Sequence, residues 1–91
     1  MEHGDWLAAF IDQQVIAEIG EGFTVLGTLT GLNPTYLEFS QVDLHNQFEA
    51  NSTRDVYALE TASLGIRPNR KQLFVPRDRL ICIGRLSDVE P

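Results

Sequence analysis

Few side chains in this sequence have the type and spacing that catalysis or metal binding requires. His3 and His45 have no further ligand residues at the spacing of a metal site. Cys82 stands between Ile81 and Ile83 in an apolar run, where we expect a buried and unreactive thiol. No two carboxylates are placed as a catalytic acid–base pair. The sequence therefore predicts no enzymatic activity, no cofactor and no metal.

Charge is distributed unevenly along the chain. Residues 1–66 carry ten acidic and one basic side chain, a net charge of −9, whereas residues 67–91 carry six basic and three acidic ones, a net charge of +3. A protein that binds nucleic-acid phosphates normally presents a basic face, and only this last third could supply one. The other interpretation, which we favour, is that the basic edge meets an acidic edge of a neighbouring subunit.

Length and composition predict a single domain over residues 1–91. A chain of 91 residues buries only roughly 60–65% of the surface that its unfolded form exposes, so contacts between subunits would help to stabilise it. One cysteine excludes an internal disulfide framework, which favours a cytoplasmic location. No basic segment precedes a long apolar run, so we expect neither a secretion signal nor a membrane span.

The N-terminal residues predict a short helix. Asp5 is placed to cap it, because an aspartate side chain accepts hydrogen bonds from the first backbone N–H groups of a helix. The apolar face of this helix is predicted to be Trp6, Leu7, Phe10 and Ile11.

Three predicted strands follow, over residues 14–19, 23–32 and 36–44. Glycine inside a strand signals a bulge, a bend or the close approach of another backbone, so the step from Gly22 to Gly27 predicts a strongly bent second strand. The alternation of the third strand slips between Phe39 and Val42, where we expect a bulge or a sharp bend. The solvent side of the second strand is predicted to be formed by Thr24, Thr28 and Thr30.

Residues 53–65 fit a helix better than a strand. Ser52 can cap its start, with an acidic residue three positions later, and Gly65 can end it. The alternation of the same residues would also permit a strand, so that alternative stays open. The buried face of the helix is predicted to be Val56, Tyr57, Leu59, Ala62 and Leu64.

Two short strands complete the pattern, over residues 71–75 and 79–84, and Pro76 separates them. Proline cannot donate to a strand ladder, so it marks a corner or an edge. The whole pattern predicts a mainly β fold: an N-terminal helix followed by a five-stranded, strongly bent antiparallel sheet that forms a small open barrel, with an extra helix near 53–65.

Two stretches of the sequence have the spacing of a known pair of motifs. The second is the segment from Val75 to Ile83, and the first is formed by Val15, Glu21, Gly22, Gly27, Leu29 and Leu32. In these motifs the chain resembles the Sm-like family, the ring-forming proteins that include bacterial RNA chaperones and the spliceosomal core. The resemblance covers residues 4–44 and 72–84, and it implies a divergent bacterial-type member with a helical insertion at 45–66.

The resemblance also implies where RNA would bind. In RNA-binding relatives three positions build a uridine pocket, and here they are Asn33, Leu37 and Pro76. Asn33 can still form hydrogen bonds. Leu37 cannot read a base edge, and Pro76 cannot make the charge-assisted contacts of arginine. The usual pocket is therefore expected to be largely lost.

A rebuilt nucleic-acid site nearby would consist of Asn33, Tyr36, Arg77 and Arg79, because aromatic and guanidinium planes both stack on bases. The alternative is that Tyr36 packs in the core and the two arginines pair with acidic neighbours.

Assembly is the other implication of the resemblance. In Sm-like rings the fourth strand of one subunit pairs with the fifth strand of the next, so that no sheet edge stays exposed. The ring size does not follow from the sequence. The interface residues implied here are Leu73, Phe74, Val75, Leu80, Ile81 and Ile83.

The expected function is therefore that of a homo-oligomeric, ring-forming assembly module, with RNA binding only outside the usual pocket. One alternative is an RNA-binding regulator that uses the basic strip at residues 67–85. A more distant alternative is a monomeric barrel that binds a peptide at its sheet edge.

Overall fold

The computed structural model describes residues 5–46 and 54–90 and confirms the mainly β prediction. The helix near 53–65 is present, so the strand alternative is wrong. In chain order the elements are a 3-10 helix (Trp6–Phe10), strands β1 (Gln14–Ile19), β2 (Phe23–Leu32) and β3 (Tyr36–Asn46), helix α1 (Arg54–Leu64), strand β4 (Arg70–Pro76), a 3-10 turn (Arg77–Arg79), strand β5 (Leu80–Arg85) and a second 3-10 helix (Leu86–Asp88).

The five strands form one antiparallel sheet in the order β4-β3-β2-β1-β5. The two edge strands, β4 and β5, are connected by residues 77–79 alone. In a flat sheet they would lie about 19 Å apart, since neighbouring strands are spaced by about 4.8 Å. A three-residue connection spans at most about 14 Å. The sheet must therefore bend toward a barrel, as the sequence predicts.

The bend is concentrated where β2 crosses β3. The pairing register shifts between Leu26 and Thr28, and Gln41 on the opposite strand has a φ of 51°. A Cβ atom at Gly27 would lie 3.1 Å from the carbonyl oxygen of Ser40. The strands therefore approach so closely that glycine fits best, which confirms both the role of Gly27 and the predicted bulge in β3.

Alternate residues of the strands fill the inside of the bend. The first 3-10 helix packs Leu7 and Phe10 against this core, but Trp6 is 86% exposed, so its predicted place on the buried face is wrong. A 3-10 helix of five residues is too short to turn all four apolar side chains inward. The core cluster consists of Val15, Ala17, Val25, Leu29, Leu37, Phe39, Val42 and Val75.

The other face of β2 is buried in the first half of the strand. Thr24 and Leu26 are fully buried, although they alternate with core residues and point away from the inside of the bend. The second 3-10 helix contacts both β1 and α1 and contributes the buried Leu86. The predicted solvent exposure is therefore wrong for Thr24, because the first half of this central strand is buried on both faces. Thr28 is half-buried, and Thr30 is exposed as predicted.

Helix α1 turns a different face inward from the predicted one. Ala58 and Thr61 are its buried described residues, whereas Ala62 and Leu64 are exposed. Helix α1 contacts the second 3-10 helix (Leu86–Asp88), and this neighbour, rather than the apolar pattern of the helix itself, sets which face is buried. Gly65 ends the helix with a φ of 89°, as predicted. The predicted cap Ser52 and the side chains of residues 56 and 57 lie outside the described part.

Replacing Gly27 by alanine should destabilise the fold by about 1–3 kcal/mol, because the added methyl group meets backbone atoms that cannot move aside. Chemical denaturation measures this change in the free energy of unfolding. Gly84→Ala is the matched control: it lies in β5 and a Cβ atom there has no neighbour within 4 Å. Equal stability of the two variants would contradict the close approach at Gly27.

Candidate functional site

The two edges of the sheet expose large apolar side chains. Phe74 on β4 is 57% exposed and Ile81 on β5 is 67% exposed. Val75, by contrast, is buried in the core. The remaining implied interface residues are partly buried and pack against the core: Leu73, Leu80 and Ile83. The edges thus offer two prominent apolar side chains, and whether a neighbouring subunit contacts them stays a prediction.

A bulge sets the orientation of β5. Ile19 pairs with Leu80 and Glu18 pairs with Cys82, so Ile81 is an extra residue on the edge strand. Cys82 is exposed, and its thiol donates to the Glu18 carboxylate at 3.2 Å. The expectation of a buried thiol is wrong because the bulge shifts the alternation and puts Cys82 on the outer face.

Asn33 holds the turn between β2 and β3. Its Oδ1 accepts from the backbone N–H of Thr35 at 2.8 Å and of Tyr36 at 2.7 Å, and its own N–H donates to the carbonyl of Tyr36. This arrangement is a typical Asx turn. The amide oxygen of Asn33 is therefore committed to the backbone, and a contact from this side chain to nucleic acid stays a prediction.

Arg77 connects three parts of the chain. Its Nη1 donates to Asp5 Oδ2 at 2.6 Å and to the carbonyl of Asn33 at 3.0 Å, while its Nη2 donates to Asp5 Oδ1 at 3.1 Å. The hydrogen bonds from Arg77, together with the backbone N–H of Leu7, lower the pKa of Asp5, and the same pair raises the pKa of Arg77. The guanidinium is thus largely engaged within the chain.

Arg79 lies apart from this cluster. Its Nη1 is 3.6 Å from Glu21 Oε1, both side chains are largely exposed, and its backbone carbonyl accepts from the N–H of Gly20. Such an exposed pair contributes little to stability. The structure therefore brings Asn33, Tyr36 and Arg77 together at one corner and places Arg79 near the β1–β2 turn.

Tyr36 is 44% exposed, so it does not pack in the core. It lines a pocket of about 250 Å³ together with Glu38 and Phe74. Leu37, next to it, is fully buried. Sequence reasoning missed this grouping. Gly31 is the one indication of this pocket in the sequence, because a glycine in a strand leaves space beside the residues that pair with it. That space can be assigned to Glu38 only when the pairing of β2 with β3 is known.

A second cavity, of about 410 Å³, opens beside the end of α1 and is lined in part by Asp43, Glu60 and Arg67. Burial raises the pKa of Asp43, and the charge of His45 opposes that shift. Among the described residues, no group of three or more histidine, cysteine or acidic side chains could hold a metal ion. No helix in the described part of the chain is long and apolar enough to cross a membrane.

Comparison with known proteins identifies a similar fold. No family model and no curated protein matches this chain. Among solved structures it is similar to a chain in the crystal structure of the NatC complex bound to CoA, with a TM-score of 0.57 and 19% sequence identity. The match covers 91% of this chain and 86% of that one. At this identity the likeness shows the fold alone.

These comparisons overturn the assignment to the Sm-like family as a divergent bacterial-type member. No family model matches, and the similar solved chain is part of the NatC complex. The spacing of Gly22 and Gly27 reflects how strongly β2 bends, and glycine is common at such bends in strands of any family. It therefore indicates the fold and does not identify the family.

Replacing Arg77 by alanine should raise the pKa of Asp5 toward its ordinary value of 3.8. NMR titration of the Asp5 carboxyl carbon measures this change. Arg79→Ala, which removes an equal charge away from Asp5, is the control and should leave that pKa unchanged. An Asp5 carboxyl that titrates identically in all three proteins would contradict the ion pair.

The same ion pair predicts how stability depends on pH. Because folding lowers the pKa of Asp5, its contribution is full above pH 3.8 and is lost as the pH falls through the lowered value. Asp5→Asn should therefore be less stable than the parent at pH 7, and the difference should vanish in acid. Thermal unfolding at a series of pH values measures this; a constant difference would contradict it.

Proposed function

We propose that this chain is an assembly module that joins protein partners by strand pairing at the edges of its sheet. The observation that carries the proposal is that β4 and β5 end the strand order, and each has a strand neighbour on one side only within the described residues. Both expose a large apolar side chain, Phe74 and Ile81. Unpaired edges of this kind bind further strands readily. The similarity to a chain of the NatC complex supports a role in protein assembly.

A second copy of the chain is the partner that covers both edges at once. If β4 of one copy pairs with β5 of the next, each copy has both of its edges paired, and the repeated contact closes into a ring when its rotation permits. A groove of about 270 Å³ beside β4 has an apolar lining that includes Phe23, Leu44 and Leu73. It offers the exposed Ile81 of the next copy a place to be buried.

The energetics favour such pairing over an exposed edge. Burying a large aliphatic side chain completely contributes roughly 1.5–3 kcal/mol at most, and Ile81 on β5 is 67% exposed. The pairing also satisfies backbone groups that would otherwise be left to water. Assembly rather than catalysis is therefore the activity that we propose.

Ile81→Lys should convert an oligomer into a monomer, because it puts a charge where an apolar side chain would be buried. Analytical ultracentrifugation at micromolar concentration measures the mass. Leu64→Lys is the matched control, since Leu64 is 73% exposed and lies on α1 rather than on an edge strand. A parent protein that sediments as a monomer would overturn the homo-oligomer and favour binding of a foreign peptide at a sheet edge.

RNA binding is a second candidate, favoured by one observation. Arg67, which precedes β4, and Arg70 and Lys71, which begin it, are all exposed. Arg70 and Lys71 line a shallow cavity of about 340 Å³. Farther along the basic strip at 67–85, Arg77 is paired with Asp5. Residues 67–71 are therefore more available to RNA than Arg77 is.

Binding of a uridine-rich oligonucleotide should weaken with salt if this candidate is right. Removing Arg70 and Lys71 together, as alanines, should reduce the slope of log affinity against log salt by about 1.4, since each contact to a single strand contributes about 0.7. Fluorescence anisotropy measures the slope. The double variant Arg77→Ala/Arg79→Ala removes the same charge and is the control. Unchanged binding in the first variant would reject this candidate.

A further inference from the structure

The pocket beside Tyr36 combines two aromatic rings with a carboxylate. It lies on the face of the sheet opposite the core, because Glu38 alternates with the buried Leu37 and Phe39. Tyr36 and Phe74 are both exposed there. Its complete lining is Gly31, Leu32, Asn33, Tyr36, Glu38 and Phe74.

Strand register creates this pocket. Glu38 pairs with Gly31 on one side and with Phe74 on the other, so the three residues lie in one row across β2, β3 and β4. A Cβ atom at Gly31 would lie 2.8 Å from Glu38 Oε1. The missing side chain thus leaves room for the carboxylate. The row exists because the register shifts between Leu29 and Gly31.

The Glu38 carboxylate is held in place from one side. Its Oε2 accepts a hydrogen bond of 2.6 Å from Gln72 Nε2. The other oxygen, Oε1, is the atom that lies over Gly31. A carboxylate fixed in this way can present one oxygen to a ligand in the pocket, whose lining also includes the two aromatic side chains.

We infer that this pocket binds the guanidinium group of an arginine supplied by a protein partner. Aromatic rings attract cations, arginine more often than lysine, and a carboxylate beside them adds a charge-assisted hydrogen bond. The planar guanidinium can stack on a ring and bond to Glu38 together, which the ammonium of lysine cannot do equally well. The net charge of −6 attracts basic partners.

A nucleic acid fits this pocket less well. The Glu38 charge repels phosphates, and Arg77, which reaches the same turn through the carbonyl of Asn33, is neutralised by Asp5. None of the lining residues is basic. The inference deepens the proposed function, since it rests on the partner being a protein and names the chemistry by which that partner is recognised.

A blocked glycine pentapeptide with one central arginine tests the inference by NMR titration of ¹⁵N-labelled protein. We expect saturable shifts at the amides of Gly31, Glu38 and Phe74. The same peptide with citrulline, which has the shape of arginine without its charge, should not saturate these shifts. Each of Glu38→Gln, Tyr36→Leu and Phe74→Leu should weaken binding about two- to five-fold.

The titration is carried out on the Ile81→Lys protein, so its result does not depend on assembly. Thermal unfolding shows that each pocket variant is folded, and Leu64→Lys serves as the surface control with unchanged affinity. Equal binding of citrulline, or affinity that is insensitive to Glu38→Gln, would overturn the arginine site. Saturation of the same amides by oligouridylate in place of the peptide would also overturn it. If the arginine site fails this test, the sedimentation result is not affected, and the proposed edge pairing still stands.

Discussion

Three residues, 77–79, connect strands that stand at opposite ends of the sheet order, and the rest of the structure depends on this constraint. The connection is too short to cross a flat five-stranded sheet, so the sheet has to bend until its two edges meet near Pro76 and Leu80. That bend requires β2 and β3 to approach closely, which is why glycine stands at position 27 and Gln41 takes a positive φ. It also creates the enclosed side on which the core side chains meet.

The same connection organises the surface. Arg77 lies within it and binds both the N-terminal Asp5 and the turn at Asn33, so the closure of the sheet also fixes the corner where Tyr36 is exposed. Within the described residues β4 and β5 do not pair with each other, so each of them has one side without a strand neighbour. A sheet that closes only in part thus leaves two edges without a strand neighbour. Beside one of these edges, strand register forms a pocket that is lined by two aromatic side chains and a carboxylate.

Much of the fold follows from local pattern. The bounds of β1 and β2 agree with the alternation of the sequence, and the slip in β3 corresponds to a real bulge at Gln41. The errors share one cause. The predictions for Thr24, Cys82 and the buried face of α1 rest on the residues of one element, yet the exposure of these side chains depends on how that element pairs and packs with others. The family assignment failed for a related reason, because glycine spacing describes a bend that unrelated sequences can share.

Local sequence pattern is enough to place the strands, the helix and the turns and to show how charge is divided between the two parts of the chain, because those properties arise from residues close together in the chain. The burial of Thr24 and Leu26, the pairing of Arg77 with Asp5, and the row formed by Gly31, Glu38 and Phe74 depend instead on how distant parts of the chain pack together. These features join residues that are far apart in the chain. Their geometry depends on strand order and register, which a single bulge can shift by one residue and so move a side chain to the opposite face.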